Sequence, residues 1–461
     1  MTREKEGRDR KGTSLRLIVL EALIQQEKEG TKLNLLLNGV LSRYAYLSRE
    51  DRAFIKILTE GTVERRITLD HVIDRFSRVK TEKMKGVIRN ILRLSAYQML
   101  FMEHVPDHTI CDEAVRLTKK KHMQPLSGFV NGVLRSMSRE KPDIDLIPDP
   151  SVRYSYPRWI YERFLEEFGE ERTLNIFRYC LEAAPVYIRI NPARTDRDEV
   201  RRILTEQDIN VNEVPDHPLA LEISGFSSIG EIKGFNEGLF SVQDISSMAV
   251  GEKISSIINE KRPENLRVID ICAAPGGKSC HAAEILTGYV KETGVTGKFL
   301  VESRDISEGK VRYIEENRDR LGLDIIETRV SDARIPCDIE DRGTEEKADI
   351  IIADLPCSGL GVMGRKNDLK YRIKPEDIES LQLLQRDILK AAVTYLKSGG
   401  YLIFSVCTIT RDETSEQKNW IQNDLGMEFI CDKLLLPGEK RTDGFYYSLF
   451  KSRDDGKDRE E

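Results

Sequence analysis

The apolar positions in the first 140 residues recur at helical spacing. Val87, Ile91 and Leu94 lie at i, i+4 and i+7 and would share one face of a helix. A similar stripe occupies residues 15–24, and strand signals are scarce throughout this stretch. The pattern therefore predicts an all-helical bundle over residues 1–140.

The pattern changes further along the chain. Four prolines fall within residues 141–157, which predicts a linker. Residues 158–240 then mix helical stretches with short alternating runs such as 187–190, which is typical of a small α+β domain.

From about residue 241, short apolar runs alternate with helical stretches. The alternation predicts a doubly wound, mostly parallel sheet, that is, a Rossmann-like α/β domain over residues 241–452. The final stretch, 453–461, is charged and nearly free of apolar side chains, so we expect a disordered tail. The predicted strands are 267–271, 298–303, 325–329, 350–353 and 401–405, with helices between most of them, notably at 309–321 and 376–396.

Charge is divided unevenly among these regions. The net charge is −6, but residues 1–140 hold 27 Lys+Arg against 18 Asp+Glu, a net of +9, and the remainder has a net of −15. This asymmetry favours a basic, nucleic-acid-binding domain beside an acidic catalytic one, although solvated helix faces are the ordinary role of such charges. The basic groups include Lys119, Lys120, Lys121, Arg75, Arg78, Lys80, Lys83, Lys85 and Arg89.

The cysteines and the apolar runs restrict the class of protein. Eight cysteines are spread along the chain without a Cys-x-x-Cys pair, which argues against a structural zinc site and suits free thiols in a reducing compartment. No apolar run is long enough to span a bilayer, and residues 1–12 lack the pattern of a secretory signal. We therefore expect a cytoplasmic protein that needs no metal and no membrane. We also expect it to be monomeric.

The segment 268–279 carries the clearest chemical signal. An apolar run ends at Ile271, small residues follow, and a helix is predicted to begin near Lys278. Gly276 and Gly277 would let the backbone approach a ligand closely, and a helix N-terminus offers free N–H donors. The spacing matches neither the dinucleotide-binding G-x-G-x-x-G pattern nor a phosphate-binding loop.

Three carboxylates follow later predicted strands. Asp305, Asp332 and Asp354 suit a ligand with ribose hydroxyls, an adenine amino group and a positive sulfonium, whereas they would repel a polyphosphate. A single Asp at such a position is more often a turn or helix-cap residue. Three carboxylates that follow successive strands favour one ligand site at the carboxyl edge of the sheet.

Two thiols follow the predicted strands 350–353 and 401–405. Cys357 and Cys407 should therefore open onto the same edge as the glycine loop, although a lone cysteine there is more often a packing residue. One reaction that uses a thiol beside a methyl sulfonium is the methylation of carbon 5 of cytosine. This carbon is a poor nucleophile, and addition of a thiolate to carbon 6 converts the ring into an enamine that attacks the methyl sulfonium. On this chemistry alone, either cysteine could be the nucleophile.

The segments 268–279, 354–359 and 401–408 resemble the methyl-donor and two-cysteine motifs of the NOL1/NOP2/Sun family of RNA cytosine-C5 methyltransferases. Further similarity covers nearly the whole chain apart from the tail. Residues 15–140 resemble a NusB-like RNA-binding helical domain, and this combination points to the bacterial RsmB/Sun branch. Further similar segments are 242–247, 304–322, 331–334 and 443–446, and within the helical region 93–98 and 130–135.

The resemblance implies a role for each matching residue. Cys407 would be the nucleophile, Cys357 would assist release of the covalent adduct, and Asp354 would lie near the target ring and the methyl donor. Asp305 would hold the ribose and Asp332 would approach the adenine of S-adenosylmethionine, the implied cofactor. The methionine part would be held by Cys272, Ala273, Ala274, Pro275, Gly276, Gly277 and Lys278.

The implied substrate is 16S ribosomal RNA, at the cytosine 967 site. The same chemistry on tRNA or another ribosomal RNA site is an alternative, as is a non-catalytic ribosome-assembly protein on the same fold. A DNA cytosine methyltransferase would instead use Cys357 as its nucleophile. Expected RNA contacts are Arg189, Lys366, Lys370 and Arg372 to phosphates, with Tyr371 stacking on a base.

Three departures from the family pattern are visible. Val406 and Ser279 stand where threonine is usual, and residues 364–371 fit the family's basic, aromatic-ended loop only loosely. Val406 keeps a β-branched shape, so we expect the chemistry to be retained. The difference in residues 364–371 affects the expected choice of substrate rather than the chemistry.

Overall fold

The structure, a computed structural model, describes residues 14–103, 105–336 and 347–453. All but the first residue of the predicted tail, 453–461, lies outside these residues. Within them, no helix is both long enough and apolar enough to cross a membrane.

The chain divides into two compact units. The first unit comprises Met1–Glu182 together with Met363–Ile373, and the second comprises Ala183–Val362 together with Lys374–Glu461. Each unit groups more than one of the domains expected from the sequence, so the individual domain boundaries remain predictions.

The first unit is a helical bundle, as the apolar spacing predicts. Ile91 and Leu94 of the predicted stripe are fully buried, and Val87 packs against the same cluster. The numbered helices are α1 Leu15–Glu29, α2 Leu33–Arg43, α3 Arg49–Glu64, α4 Arg66–Phe76, α5 Gly86–Phe101, α6 Asp107–Lys120, α7 Ser127–Glu140, α8 Pro150–Arg153, α9 Arg158–Phe168 and α10 Glu170–Tyr179, and a further short helix is Leu369–Arg372.

Residues after the bundle extend this unit. The stretch 141–157, expected to be a linker, contains α8 and supplies Tyr156, whose ring stacks on Phe177 of α10 with 3.7 Å between centroids. The helical part of the expected α+β domain, α9 and α10, therefore packs in the first unit, because its aromatic side chains are buried there.

Met363–Ile373 joins the first unit from far along the chain, and we call it the inserted segment. The Asp368 carboxylate accepts the backbone N–H of Leu33 at 3.1 Å. The Tyr371 hydroxyl donates to the backbone carbonyl of Glu64 at 2.7 Å. These contacts fix a loop whose sequence shows no hydrophobic periodicity.

Lys370 of the inserted segment is only 3% exposed, and its Nζ lies 4.1 Å from the centroid of the Tyr156 ring. Burial lowers the pKa of Lys370 to about 7, although the charge of Glu64 opposes that shift. The unfolded chain holds this proton up to about pH 10.4, so it binds more protons than the folded chain between about pH 7 and 10. The contribution of Lys370 to the free energy of unfolding therefore rises with pH across that window. Below the window Lys370 is charged in the folded chain, and the full cost of burying that charge is present.

We expect Lys370→Met to raise the thermal unfolding midpoint at about pH 6 and to raise it less at about pH 9. Methionine fills similar space and carries no charge, so it removes the desolvation cost that Lys370 bears in its protonated form. Thermal unfolding of both proteins across this range measures the effect. A difference between them that does not change with pH would contradict the assignment.

The second unit begins with a small antiparallel sheet in the order β2-β3-β1-β4. Ile188, Ile190 and Leu221 of the sheet pack against Val200 and Leu204 of the helix that follows β1. This is the strand part of the predicted α+β domain. Its elements are β1 Val186–Ile190, α11 Arg197–Thr205, β2 Asn210–Glu213, β3 Ala220–Ser224 and β4 Phe240–Val242.

A seven-stranded sheet follows in the order β10-β11-β9-β8-β5-β6-β7. The neighbouring strands β9, β8, β5, β6 and β7 run parallel to one another. Strand β11 is antiparallel to both β9 and β10. Its elements are α12 Ile245–Lys261, β5 Leu266–Asp270, α13 Gly277–Thr293, β6 Phe299–Asp305, α14 Glu308–Leu321, β7 Ile326–Val330, β8 Ala348–Asp354, α15 Pro375–Ala392, β9 Leu396–Val406, α16 Ser415–Asn423, β10 Glu428–Leu435 and β11 Phe445–Lys451.

Helices cover both faces of this sheet because successive strand residues point to opposite sides. Val268 and Ile350 pack on one face with α12, α13 and α14, whereas Ile269 and Ile351 pack on the other with α15 and α16. The predicted doubly wound, mostly parallel sheet is confirmed. Each predicted strand lies within an observed one or overlaps most of it.

Candidate active site

The larger sheet reverses its strand order beside β5, which pairs with β6 on one side and with β8 on the other. In open α/β sheets, ligands bind beyond the carboxyl ends of the strands at such a point. The loops after β5, β8 and β9 open there. They carry the predicted cofactor loop and the two predicted thiols.

The loop after β5 requires a glycine at position 276. Gly276 has a φ of 102°, and a Cβ atom there would lie 3.2 Å from the backbone Cα of Ile314 in α14. Its N–H donates to the carbonyl of Ala273 at 2.7 Å, which closes the turn. Helix α13 begins at the next residue, so its first N–H groups, which have no partner within the helix, face the same edge of the sheet.

Asp270, the last residue of β5, is a buried carboxylate beneath this loop. Its Oδ2 accepts the hydroxyl of Ser279 at 2.7 Å, so the serine found in place of threonine still ties the helix to the strand. Its Oδ1 is buried and has no hydrogen-bond partner among the described residues. Burial raises the pKa of Asp270 to about 7, with the charge of Asp354 adding to the shift.

Asp305 ends β6 and contacts the predicted cofactor loop directly. One carboxylate oxygen accepts the N–H of Ala274 at 3.0 Å, and the other accepts the N–H of Ile306 at 2.8 Å. The Nζ of Lys310 lies 2.9 Å from the second oxygen, on a side chain that is 53% exposed. The structure therefore places Asp305 and the loop in one site.

Asp332 follows β7, the next strand along. The N–H of Ser331 donates to the backbone carbonyl of Asp305 at 2.9 Å, which brings the two predicted acidic positions side by side. Hydrogen bonds from Arg334 lower the pKa of Asp332 to about 2. Its carboxylate is thus ionised, and it accepts the Nε of Arg334 at 3.0 Å.

Asp354 ends β8 and joins the cofactor loop to the strand that carries the second thiol. The Nζ of Lys278 lies 2.7 Å from one of its oxygens, and the hydroxyl of Ser405 donates to the other at 2.8 Å. Burial lowers the pKa of Lys278, but the charge of Asp354 and its hydrogen bond outweigh burial, so the pKa of Lys278 is raised. The sequence indicated Lys278 and Asp354 separately, whereas it contained no signal for their pairing or for Ser405.

The two predicted thiols meet at this edge. The Sγ atoms of Cys357 and Cys407 are 3.3 Å apart, and the backbone N–H of Gly361 donates to the carbonyl of Cys407 at 3.1 Å. The hydrogen bond with Cys407, together with burial, raises the pKa of the Cys357 thiol well above its ordinary value. Burial also raises the pKa of Cys272, the third thiol near the edge.

Two of the four expected phosphate contacts are wrong. Arg189 is 1% exposed, and its guanidinium is paired with Glu284 at 2.8 Å, so it cannot reach a phosphate. Lys370 is also buried. The Nε of Arg372 donates to Asp368 at 2.7 Å on a side chain that is 29% exposed, and Lys366 is exposed, so these two contacts stay predictions.

The stacking position expected for Tyr371 is wrong as well. Its hydroxyl is bonded to Glu64 and Ser155, and the guanidinium of Arg66 lies 4.0 Å from its ring centroid. The ring therefore serves the packing of the inserted segment. The sequence could not reveal this because the partners are more than 200 residues away.

The sheet order, the glycine loop after β5 and the acidic residues at the following strand ends define a Rossmann-like methyltransferase architecture. Comparisons with known proteins agree with it. Residues 13–139 match the NusB family, 156–229 match the ferredoxin-like domain of RsmF/B-like methyltransferases, and 257–451 match the 16S rRNA methyltransferase RsmB/F family.

Two relatives cover almost the whole chain. A probable ribosomal RNA small subunit methyltransferase B of Bacillus subtilis (strain 168) is 36% identical, over 96% of this chain and 100% of the relative. A protein of the same description from Synechocystis sp. is 32% identical, over 88% and 92%. The chain therefore belongs to the ribosomal RNA small subunit methyltransferase B family, whose class of activity is S-adenosylmethionine-dependent methylation of RNA.

Two solved structures share the fold. The crystal structure of PH0851 has a TM-score of 0.76 at 21% identity and covers 96% of this chain and 99% of its own. NSun6 from Pyrococcus horikoshii, crystallised with SFG, has a TM-score of 0.55 at 22% identity and covers 65% and 99%.

Proposed function

We propose that this protein transfers a methyl group from S-adenosylmethionine to carbon 5 of a cytosine in 16S ribosomal RNA, through a covalent adduct between Cys407 and carbon 6. The observation that carries the proposal is the contact between Cys357 and Cys407 at the sheet edge, beside the Lys278–Asp354 pair. A pair of thiols at this place suits a reaction in which one adds to the base and the other assists its release.

The residues at the edge fit S-adenosylmethionine. Asp270 keeps one buried oxygen without a partner among the described residues, and a Cβ atom added at Gly277 would meet nothing within 4 Å, so the loop leaves space there. Asp305 and Asp332 offer carboxylates to hydroxyl and amino groups, and the acidic edge favours a cation and disfavours a polyphosphate. We assign Cys272 through Lys278 to the methionine part, Asp305 to the ribose and Asp332 to the adenine.

The protein's own residues carry the steps on the base. Bound S-adenosylmethionine supplies an electrophilic methyl group. The Cys407 thiolate adds to carbon 6 of the cytosine, which makes a C–S bond and turns carbon 5 into the nucleophile. We assign Asp354, which is held between Lys278 and Ser405, to accept a hydrogen bond from the amino edge of the ring.

Release reverses the addition. A base removes the proton from carbon 5, the electron pair restores the ring double bond, and Cys407 leaves as a thiolate. Cys357, in contact with Cys407, is the residue that we assign to this step, as the base or as its partner. The target base must leave any helical stack to reach these thiols, so an unpaired or flipped cytosine is the expected substrate.

A labelled-methyl assay on unmodified 16S ribosomal RNA tests the proposal. We expect one 5-methylcytosine, at the cytosine 967 site. If the protein methylates tRNA or another ribosomal RNA site instead, the proposed chemistry stands and the proposed substrate is wrong. No transfer to any of these RNAs would favour the assembly-factor alternative. A ribosomal RNA substrate also implies a cytoplasmic location.

We also propose that the basic surface of the first unit contacts RNA. Lys83 and Lys85 are exposed, in the region that carries the excess of positive charge. Replacement of both by glutamate should weaken RNA binding. The slope of the log of the binding constant against the log of the salt concentration should become shallower by about 0.7–0.9 for each phosphate that the protein no longer neutralises. The affinity for S-adenosylmethionine should not change.

Filter binding over a series of salt concentrations measures this effect. Charge reversal at Lys291, an exposed lysine of the second unit, is the control. If the Lys83 and Lys85 variant binds RNA with wild-type affinity and slope, the RNA-contacting surface lies elsewhere.

A further inference from the structure

A buried carboxylate lies behind the two thiols, in the turn Arg411–Glu413 that follows the Cys407 loop. Glu413 is fully buried. One of its oxygens accepts the backbone N–H of Ser358 at 2.9 Å and the side-chain amide of Gln385 at 3.1 Å. The other accepts the hydroxyl of Thr410 at 3.0 Å.

Together, Glu413 and Gln385 hold both peptide groups that flank Cys357. The amide of Gln385 donates to the carbonyl of Pro356 at 2.9 Å, before the cysteine, and Glu413 accepts the N–H of Ser358, after it. Because both flanking peptides are fixed, the direction in which Cys357 leaves the backbone is fixed as well.

The Cys357 loop is also tied directly to the Cys407 loop. The hydroxyls of Ser358 and Thr408 are 2.7 Å apart, and both side chains are buried. A cluster of buried, satisfied polar groups is rigid, because any shift would leave a donor or acceptor without a partner. The 3.3 Å contact between the thiols is therefore set by the polar cluster behind them.

A full carboxylate at this place has a second effect. Its three donors are a backbone N–H, an amide and a hydroxyl, none of which carries a positive charge. After the hydrogen bond with Cys407 and burial, the charges of Glu413 and Asp354 contribute to the raised pKa of Cys357.

We propose that Glu413, supported by Gln385, is a positioning residue for the release step, acting through Cys357. This inference rests on the proposed function, in which Cys407 forms the adduct and Cys357 assists its release. It adds a residue that does not touch the substrate and that holds the Cys357 loop in register with the nucleophile.

Single-turnover assays that separate adduct formation from adduct release test the inference. Glu413→Ala removes the acceptor of the Ser358 N–H, so Cys357 loses its fixed orientation. We expect release to slow by about 10–100-fold, less than the loss of a full general base, which costs about 10²–10⁴-fold. Protein–RNA adduct should accumulate on a denaturing gel, as it should for Cys357→Ala.

A conservative variant and a second partner make the result specific. In Glu413→Gln the amide oxygen can still accept the Ser358 N–H, so release should return most of the way to the wild-type rate. Gln385→Leu frees the Pro356 carbonyl and should slow release in the same direction. If Glu413→Ala does not fold, Gln385→Leu decides the question by the same assay, and release at the wild-type rate in that variant would overturn the positioning role.

Gln417→Met is the matched control. Gln417 is fully buried in the same cluster, and its amide donates to the side chain of Gln385 and to the backbone carbonyl of Gln382 rather than to either cysteine loop. We expect a lower unfolding midpoint without accumulated adduct. Adduct in this variant at the level of Glu413→Ala would overturn the positioning role, because general loosening of the cluster would then explain both.

The two proposals fail in different ways. If Cys357→Ala traps no adduct, the proposed catalytic roles are wrong and the inference falls with them. If Cys357→Ala does trap adduct and folded Glu413→Ala releases RNA at the wild-type rate, only the positioning role is wrong.

Discussion

Cys407→Ala is expected to abolish both methyl transfer and the covalent protein–RNA complex, whereas Cys357→Ala should accumulate that complex. The first change removes the atom that would add to carbon 6, so no later step can begin. The second leaves the nucleophile in place and removes the thiol 3.3 Å from it. Methylation would then occur once and the enzyme would remain attached.

The two variants are compared by labelled methyl transfer and by a denaturing gel that detects protein bound to RNA. Cys431→Ala is the control, since Cys431 lies in β10, the edge strand of the sheet, and pairs there with Leu449 of β11. Exchange of the two phenotypes would assign the nucleophile to Cys357, as a DNA-type cytosine methyltransferase would require. Full activity in Cys407→Ala would remove covalent catalysis from the proposal.

Asp354→Ala is expected to lower methyl transfer by about 10–150-fold, which corresponds to about 1.5–3 kcal/mol for a lost hydrogen bond to a charged group. The change removes the proposed acceptor for the cytosine edge. It also leaves the charge of Lys278, whose side chain is 13% exposed, without the carboxylate 2.7 Å from it. An unpaired buried charge is costly, so the lysine would move or lose its proton.

Ser405→Ala separates these contributions. It removes one hydrogen bond to Asp354 and leaves the Lys278–Asp354 pair intact, so the loss should be about tenfold or less, given about 0.5–1.5 kcal/mol for one hydrogen bond. Single-turnover rates measured at saturating RNA provide the comparison. Asp354→Ala within tenfold of the wild-type rate would show that its carboxylate only supports Lys278.

The order of elements in the second unit could be predicted because local patterns specify it. The run that ends at Ile271, the glycine turn and the helix from Lys278 are adjacent in sequence, and their sheet position follows from strand–helix alternation. The convergence of Cys357 and Cys407 could be predicted for the same reason, since parallel strands end at one edge.

Side-chain partners across long separations could not be predicted. Arg189 alternates with apolar residues as a surface strand residue would, yet it is buried because Glu284, 95 residues later, neutralises it. Glu413 lies in a polar stretch with no periodicity, and its partners Ser358 and Gln385 are 55 and 28 residues away. Such pairs depend on the folded arrangement, which a local pattern does not encode.

The inserted segment makes the helical unit inseparable from the rest by any single cut. The chain passes into the first unit at Met363, directly after the loop of Cys357, and returns at Lys374, just before α15, which carries Gln385. A fragment starting at residue 183 would retain Lys370 and Asp368 while losing Tyr156 and Leu33, with which they pack. Modular exchange of the helical unit between relatives would therefore have to carry both pieces of chain together.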